Sequence, residues 1–310
     1  MRIAQYVLLA LTLAFIVSAV VTQWSALTHV ARTTTLDWWW IVAGSALVLL
    51  THAALIQAWR MLLSGWDVAP PFWTSARIWS SANLGKYLPG KVWSIGALGV
   101  LAGREGVSGV AAASAAILST LLNIGAGIGI AATAGSRVLS TVSPLVGRMA
   151  LVCAVLFAAG VVLLPRLLPP VVTWIARRRG LPAVDRRLSP GVLWAVTAIN
   201  ALSWVGYGLA FAAFSRGVTP QVAGAAAAFI TVYTASYVWG YLVLFAPGGL
   251  GFRELAIVAL MVAMGMATRP DATMLALASR VWITVLEITP GLIALLLTPG
   301  LRRSGATRAG

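Results

Sequence analysis

The sequence predicts an all-α, polytopic membrane protein of about six to eight transmembrane helices, each made of about 20 mainly apolar residues. Two observations carry that expectation. Of the 310 residues, 60% are hydrophobic and only 9% are charged, against about 25% charged in soluble domains. The apolar residues also form long runs, several of them long enough to cross about 30 Å of hydrocarbon. Basic residues collect between the runs. What lies outside the membrane is too small for a soluble catalytic domain, so function is expected within the bilayer.

In chain order the spans are 3–22, 38–63, 107–134, 147–165, 190–215 and 272–298. Met1, Arg2 and the apolar stretch behind them mimic a signal peptide. A cleaved signal has a shorter apolar core, about 7–15 residues, so the segment reads as the first membrane helix. Trp38, Trp39 and Trp40 open the second span, and Trp59, Trp66, Trp73 and Trp79 mark its other side, as indole rings do at membrane interfaces. The stretch 166–189 is basic and proline-rich, with Arg166, Arg177, Arg178, Arg179, Arg186 and Arg187 among Pro165, Pro169, Pro170, Pro182 and Pro190. It predicts a cytoplasmic connector with little regular structure, dividing a single membrane domain (1–310) into halves 1–165 and 190–299. Alternation then places both termini on the cytoplasmic side of the inner (plasma) membrane. Twelve basic residues fall in cytoplasmic segments and five outside, the asymmetry of the positive-inside rule.

The same asymmetry accounts for the net charge of +15, which anionic headgroups reinforce. No DNA- or RNA-binding motif accompanies it, so no nucleic-acid partner is expected. Cys153 lies inside an apolar run and reads as a small packing residue. Small residues at 111–116 and 225–228, and the GxxxG pair Gly125 and Gly129, let helices approach closely. The pair suits packing within the chain or a dimer face; packing is favoured, and the oligomeric state is left open. His29 and His52 are the only histidines and are remote in sequence from the motifs below. No metal-ligand cluster is present and no cofactor is expected.

Two segments, about 72–104 and 221–268, do not read as plain spans. The first holds Asn83-Leu84-Gly85-Lys86-Tyr87-Leu88-Pro89-Gly90-Lys91-Val92-Trp93, where two lysines and Pro89-Gly90 interrupt apolar sequence. Proline removes a backbone donor and glycine takes left-handed conformations, so a helix breaks here and exposes polar backbone. At membrane depth such backbone survives only within protein or beside a water-filled cavity. A re-entrant helical hairpin answers that need; an interfacial loop is the alternative. Gly85 to Lys91 has the spacing of a phosphate-binding P-loop, but Val92 stands where Ser or Thr is required, so ATP binding is not expected. The second segment holds Phe245-Ala246-Pro247-Gly248-Gly249-Leu250-Gly251-Phe252-Arg253-Glu254, and again Pro-Gly falls where an unbroken helix would run. Glu254 suits a helix N-terminus. Arg253 does not, and needs a partner or a ligand.

Ionisable residues within spans are costly and usually functional. Arg280 and Glu287 lie on one face of the last span, about 10 Å apart along the axis. Each should meet another element, Arg253 or Glu254 being a candidate; a structural ion pair between helices is the plainer reading. Arg104-Glu105 after the first motif mirrors Arg253-Glu254, which suggests an internal inverted repeat.

"NLGKYLPGKVW", "PGGLGFRE" and "ASRVWITVLE" resemble the lysylphosphatidylglycerol synthase transmembrane domain family, which includes the membrane half of the multiple peptide resistance factor. The resemblance extends loosely over nearly the whole chain. It implies lipid translocation: a flippase for an anionic phospholipid or a polyprenyl-phosphate-linked sugar, with a lipid synthase or glycosyltransferase as partner. The family's synthase domain is not expected, because the chain ends at Gly310 soon after the last span. On this reading Lys86, Lys91, Arg253 and Arg280 attract a lipid phosphate, while Glu105, Glu254 and Glu287 balance charge or carry a coupling proton. Pro89, Gly90, Pro247, Gly248, Gly249 and Gly251 form the hairpin turns, and Asn83, Gly85, Tyr87 and Arg104 complete the motifs. Two rivals stand beside it: a membrane enzyme using Glu254 or Glu287 as acid or base, though no catalytic motif is found, and a non-catalytic scaffold.

Overall fold

A computed structural model describes residues 36–67, 69–87, 93–142, 144–178, 188–243 and 247–297. Among them every regular element is helical: α1 Trp38–Leu63, α2 Phe72–Asn83, α3 Trp93–Arg104, α4 Gly109–Val142, α5 Pro144–Arg178, α6 Pro190–Val218, α7 Ala226–Leu242, α8 Phe252–Ala263 and α9 Arg269–Leu297. Short 3₁₀ turns, Leu84–Tyr87 and Pro247–Gly249, follow α2 and precede α8. Helix starts follow local chemistry. The Asp37 carboxylate accepts from the Trp39 amide at 3.0 Å. Ser189 caps α6 through the Val192 amide, with Pro190 at the first helical position, where its missing N–H costs nothing.

Four helices are long and apolar enough to cross a membrane: α1, the Gly109–Thr133 part of α4, α6, and the Arg269–Ala294 part of α9. They match four of the expected spans. The expected span 3–22 lies outside the described residues, as do His29, Pro89, Gly90 and Lys91. The expected span 147–165 lies within α5, which continues to Arg178. The first part of the basic connector is therefore helical, through Pro165, Pro169 and Pro170. A proline removes one helical hydrogen bond but its fixed φ is itself helical, so a long helix can carry several.

The two halves repeat an order of elements. In each, a long helix (α1, α6) is followed by a helix–break–helix unit (α2 and α3; α7 and α8) and then another long helix (α4, α9). The packing repeats as well. Helix α1 lies along α6, α2 packs on α9 as α7 packs on α4, and the two 3₁₀ turns touch one another. Of the four candidate spans α9 is the most enclosed, with 56% of its apolar window buried. Small residues permit the closest approaches: a Cβ on Gly291 of α9 would lie 2.8 Å from the Ser80 carbonyl oxygen of α2. Gly125 faces the Phe157 ring of α5, so the first glycine of the GxxxG pair packs within the chain. Trp59 does not anchor an interface as expected. It is 1% exposed, and its indole donates to the Ala112 carbonyl at 3.2 Å, so helix α4 has covered it. Trp38, Trp39 and Trp73 are exposed.

Gly291→Leu is expected to lower stability by about 1–3 kcal/mol through overpacking of α9 on α2. Thermal unfolding in detergent micelles measures this, and an unchanged midpoint would contradict the close approach.

Candidate functional site

Each break brings one end of a short helix, with its unsatisfied backbone groups, into the protein interior. At the first, α2 gives way to Leu84–Tyr87. Gly85 is required there because a Cβ would fall 2.8 Å from the Ser94 amide nitrogen at the start of α3. This directs Lys86 and Tyr87 toward α9. Lys86 Nζ lies 2.6 Å from Glu287 Oε1, and the Tyr87 hydroxyl donates to Glu287 Oε2 at 2.7 Å. One carboxylate of the last helix thus holds two adjacent side chains of the first break.

The second break is built on left-handed backbone. Gly248, Gly249 and Gly251 have φ of 56°, 72° and 80°, a region closed to most side chains. Gly249 also passes so near Gly240 that a Cβ would lie 2.9 Å from its carbonyl oxygen. The Gly251 amide donates to Glu254 Oε2 at 2.7 Å, capping α8. Arg280 of α9 reaches across: its Nη1 donates to the Gly248 carbonyl at 2.8 Å and lies 3.5 Å from Glu254 Oε1. Arg280 and Glu287, seven residues apart, therefore serve different breaks.

Arg253 is 4% exposed and has no carboxylate against it among the described ion pairs. Its guanidinium lies over Tyr233 and Tyr237 at 4.8 and 4.9 Å, a cation–π arrangement worth about 2 kcal/mol when desolvated. Arg253 Nε and Nη2, and Arg280 Nε and Nη2, are buried without hydrogen-bond partners. Lys86, Tyr87, Gly248, Arg253, Arg280 and Glu287 all line one cavity of about 60 Å³. Three cations thus share the cavity wall with one carboxylate, Glu287, while Glu254 lies behind Arg280, and guanidinium donors are left over.

Not every predicted residue joins them. Glu105 forms an exposed ion pair with Arg77 at 3.7 Å, and Arg104 is exposed; neither lines the cavity. Lys91, Pro89 and Gly90 lie outside the described residues. Asn83 lines a second cavity of about 180 Å³, adjoining the first through Lys86, Ser94, Tyr237, Tyr241 and Glu287. His52 lines it too, so this histidine, remote from the motifs in sequence, stands beside them in space. Helix α1 packs against α2, and the His52 ring tilts against Trp79 at 5.7 Å and Tyr207 at 5.9 Å. Sequence reasoning also missed Tyr233 and Tyr237, whose signal was present: tyrosines at helical spacing in an apolar run that precedes the break.

The family model described as the lysylphosphatidylglycerol synthase transmembrane region matches residues 3–291. No curated protein matches the chain.

Lys86→Ala is expected to destabilise the protein by about 3–5 kcal/mol, because Glu287 is left as an uncompensated buried charge. The double variant Lys86→Met with Glu287→Gln should recover much of that loss. Unfolding midpoints of both, compared with wild type, measure the pair; equal losses in the single and double variants would contradict it.

Proposed function

We propose that this chain, which belongs to the lysylphosphatidylglycerol synthase transmembrane region family, moves an anionic lipid between leaflets of the inner membrane. The observation that supports this most is the excess of cation where the breaks meet: part-buried Lys86 with buried Arg253 and Arg280, against Glu254 and Glu287, and with four guanidinium nitrogens unpartnered. A buried cation is stabilised by pairing, and a guanidinium fork matches phosphate oxygens. A lipid phosphate or a lipid-linked sugar phosphate enters beside Arg253 and Arg280 while its acyl chains stay in the bilayer. Glu287 and Glu254 hold the cations when the site is empty and are displaced, or protonated, as the phosphate arrives.

The helix–break–helix units act as re-entrant hairpins in this reading. Helices α2, α3 and α8 have 12 residues each, about 18 Å of helix, short of the about 30 Å needed to cross. With α5 and the span expected at 3–22 added to the four long helices, the count would reach six. The matched packing of the halves fits an inverted repeat, in which the breaks meet near the midplane as in secondary transporters. Rocking one unit against the other would expose the site to alternate sides. A lipid synthase or glycosyltransferase would supply the substrate.

A membrane-embedded enzyme is the second reading, and one observation favours it: His52 and Glu287 line the same cavity, as an acid–base pair would. An enzyme changes the mass of its lipid; a flippase changes only its leaflet.

In proteoliposomes, wild-type protein is expected to accelerate leaflet exchange of labelled anionic lipid, with mass unchanged. Arg253→Ala should reduce the rate by about tenfold or more, since a charged hydrogen bond is worth about 1.5–3 kcal/mol. A change in lipid mass would favour the enzyme, and folded Arg253→Ala protein with full exchange would sink the phosphate site.

A further inference from the structure

The second cavity has a chemistry unlike the first. Its wall carries rings, amides and hydroxyls: Trp79, His52 and Trp59 from α1 and α2, and Asn123, Asn200 and Ser119 from α4 and α6. Much of this wall is fixed in place. The Trp59 indole is held by the Ala112 carbonyl and the Trp204 indole by the Asn123 carbonyl at 2.8 Å. Asn123 Nδ2 donates to Asn200 Oδ1 at 2.8 Å, and Asn200 Nδ2 to the Val196 carbonyl at 2.8 Å. That leaves the Asn123 oxygen to accept from a ligand.

Charge is what separates possible ligands. Among the described lining residues Glu287 is the one carboxylate, and both of its oxygens are engaged, by Lys86 and Tyr87. An ammonium group brought into this chamber would find no free carboxylate, and ring faces alone would offset only part of its desolvation. A polyol has no charge to desolvate, and its hydroxyls cost little where each finds a hydrogen-bond partner. Its hydroxyls meet amides and hydroxyls while its C–H faces lie on aromatic rings, the mixture of apolar walls and few fixed polar groups that small-molecule sites use.

We propose that this chamber takes a neutral, hydroxyl-rich head group, a glycerol or a sugar, attached to the phosphate held beside Arg253 and Arg280. The assignment rests on the anionic-lipid reading above and narrows it: the preferred lipid is a phosphate carrying a polyol, and aminoacylated derivatives are disfavoured. Trp79 and Asn123 determine that preference, Trp79 by covering the C–H face and Asn123 by accepting a hydroxyl.

The test is competitive binding to the purified full chain, read by native mass spectrometry. The lipids share acyl chains and differ in head group: phosphatidylglycerol, a hexosyl phospholipid, lysylphosphatidylglycerol and phosphatidic acid. The polyol lipids are expected to bind about tenfold or more tighter than the other two, and the order of the first two says whether the source is glycerol or sugar. Trp79→Ala should shrink the preference over phosphatidic acid by about tenfold, the loss of one good contact. Asn123→Asp, which keeps the shape and adds a carboxylate, should shift binding toward the lysyl lipid; a misfolded variant would lose every lipid instead. Lysylphosphatidylglycerol binding as tightly as the polyol lipids would overturn the assignment, as would preferences unmoved in both variants. Leaflet exchange is measured separately. Selective binding without exchange sinks the transport reading alone, and exchange without selectivity sinks this one alone.

Discussion

Everything in this chain is arranged around the cost of holding charge in an apolar interior. Arg253, Arg280, Glu254 and Glu287 are buried together with part-buried Lys86 against them, where an unpaired charge is prohibitive. Helix α9 resolves most of that cost. Its Glu287 binds Lys86 and Tyr87 of the first break, and its Arg280 binds the Gly248 carbonyl and approaches Glu254 at the second. One helix therefore fastens both interruptions. Without it each break would leave bare backbone and charge without a partner in the interior. The compensation is incomplete at Arg253, which rests on two tyrosine rings, and at Arg280, whose Nε and Nη2 stay without partners; those donors are what the proposed phosphate would satisfy.

The breaks also explain the surrounding packing. A helix that stops inside the protein needs a neighbour to cover its end, and each half lends the long helix that follows its own unit to the other half's unit: α9 to α2, α4 to α7. The exchange draws the two turns into contact, so that a Cβ on Gly248 would meet Arg280 at 2.8 Å and Tyr87 at 3.7 Å. Glycine at the turn is a requirement of both its left-handed backbone and its crowding. The cavities are a consequence of the same geometry. Short helices leave volume that long ones would fill, and polar side chains of α1, α4 and α6 line what is left.

Much of this was legible beforehand because it depends on local patterns. Apolar run length placed α1, α6 and α9 within a few residues, and Pro-Gly placed the second interruption. The charged positions in α9 were visible as anomalies, since nothing local compensates Arg280 or Glu287. Other features were misread for equally physical reasons. Trp59 resembled an interfacial anchor, yet burial of an indole is decided by whichever helix crosses it, here α4. The prolines of 165–170 suggested an irregular connector, but helical bonds on either side keep α5 intact to Arg178. The symmetry seen between Arg104-Glu105 and Arg253-Glu254 does not extend to environment, because the first pair lies at the surface and the second in the core.

By itself the sequence determined the class of the protein, the sites of interruption and the residues whose charge demands a partner, because hydropathy, helix breaking and desolvation act within a few residues. Only the tertiary structure decided which partner each charge takes, that His52 and the tyrosines of α7 stand beside them, and that two chambers of different chemistry adjoin. Those are matters of crossing helices. Residues hundreds of positions apart, such as Tyr87 and Glu287, meet through packing geometry that no local pattern encodes.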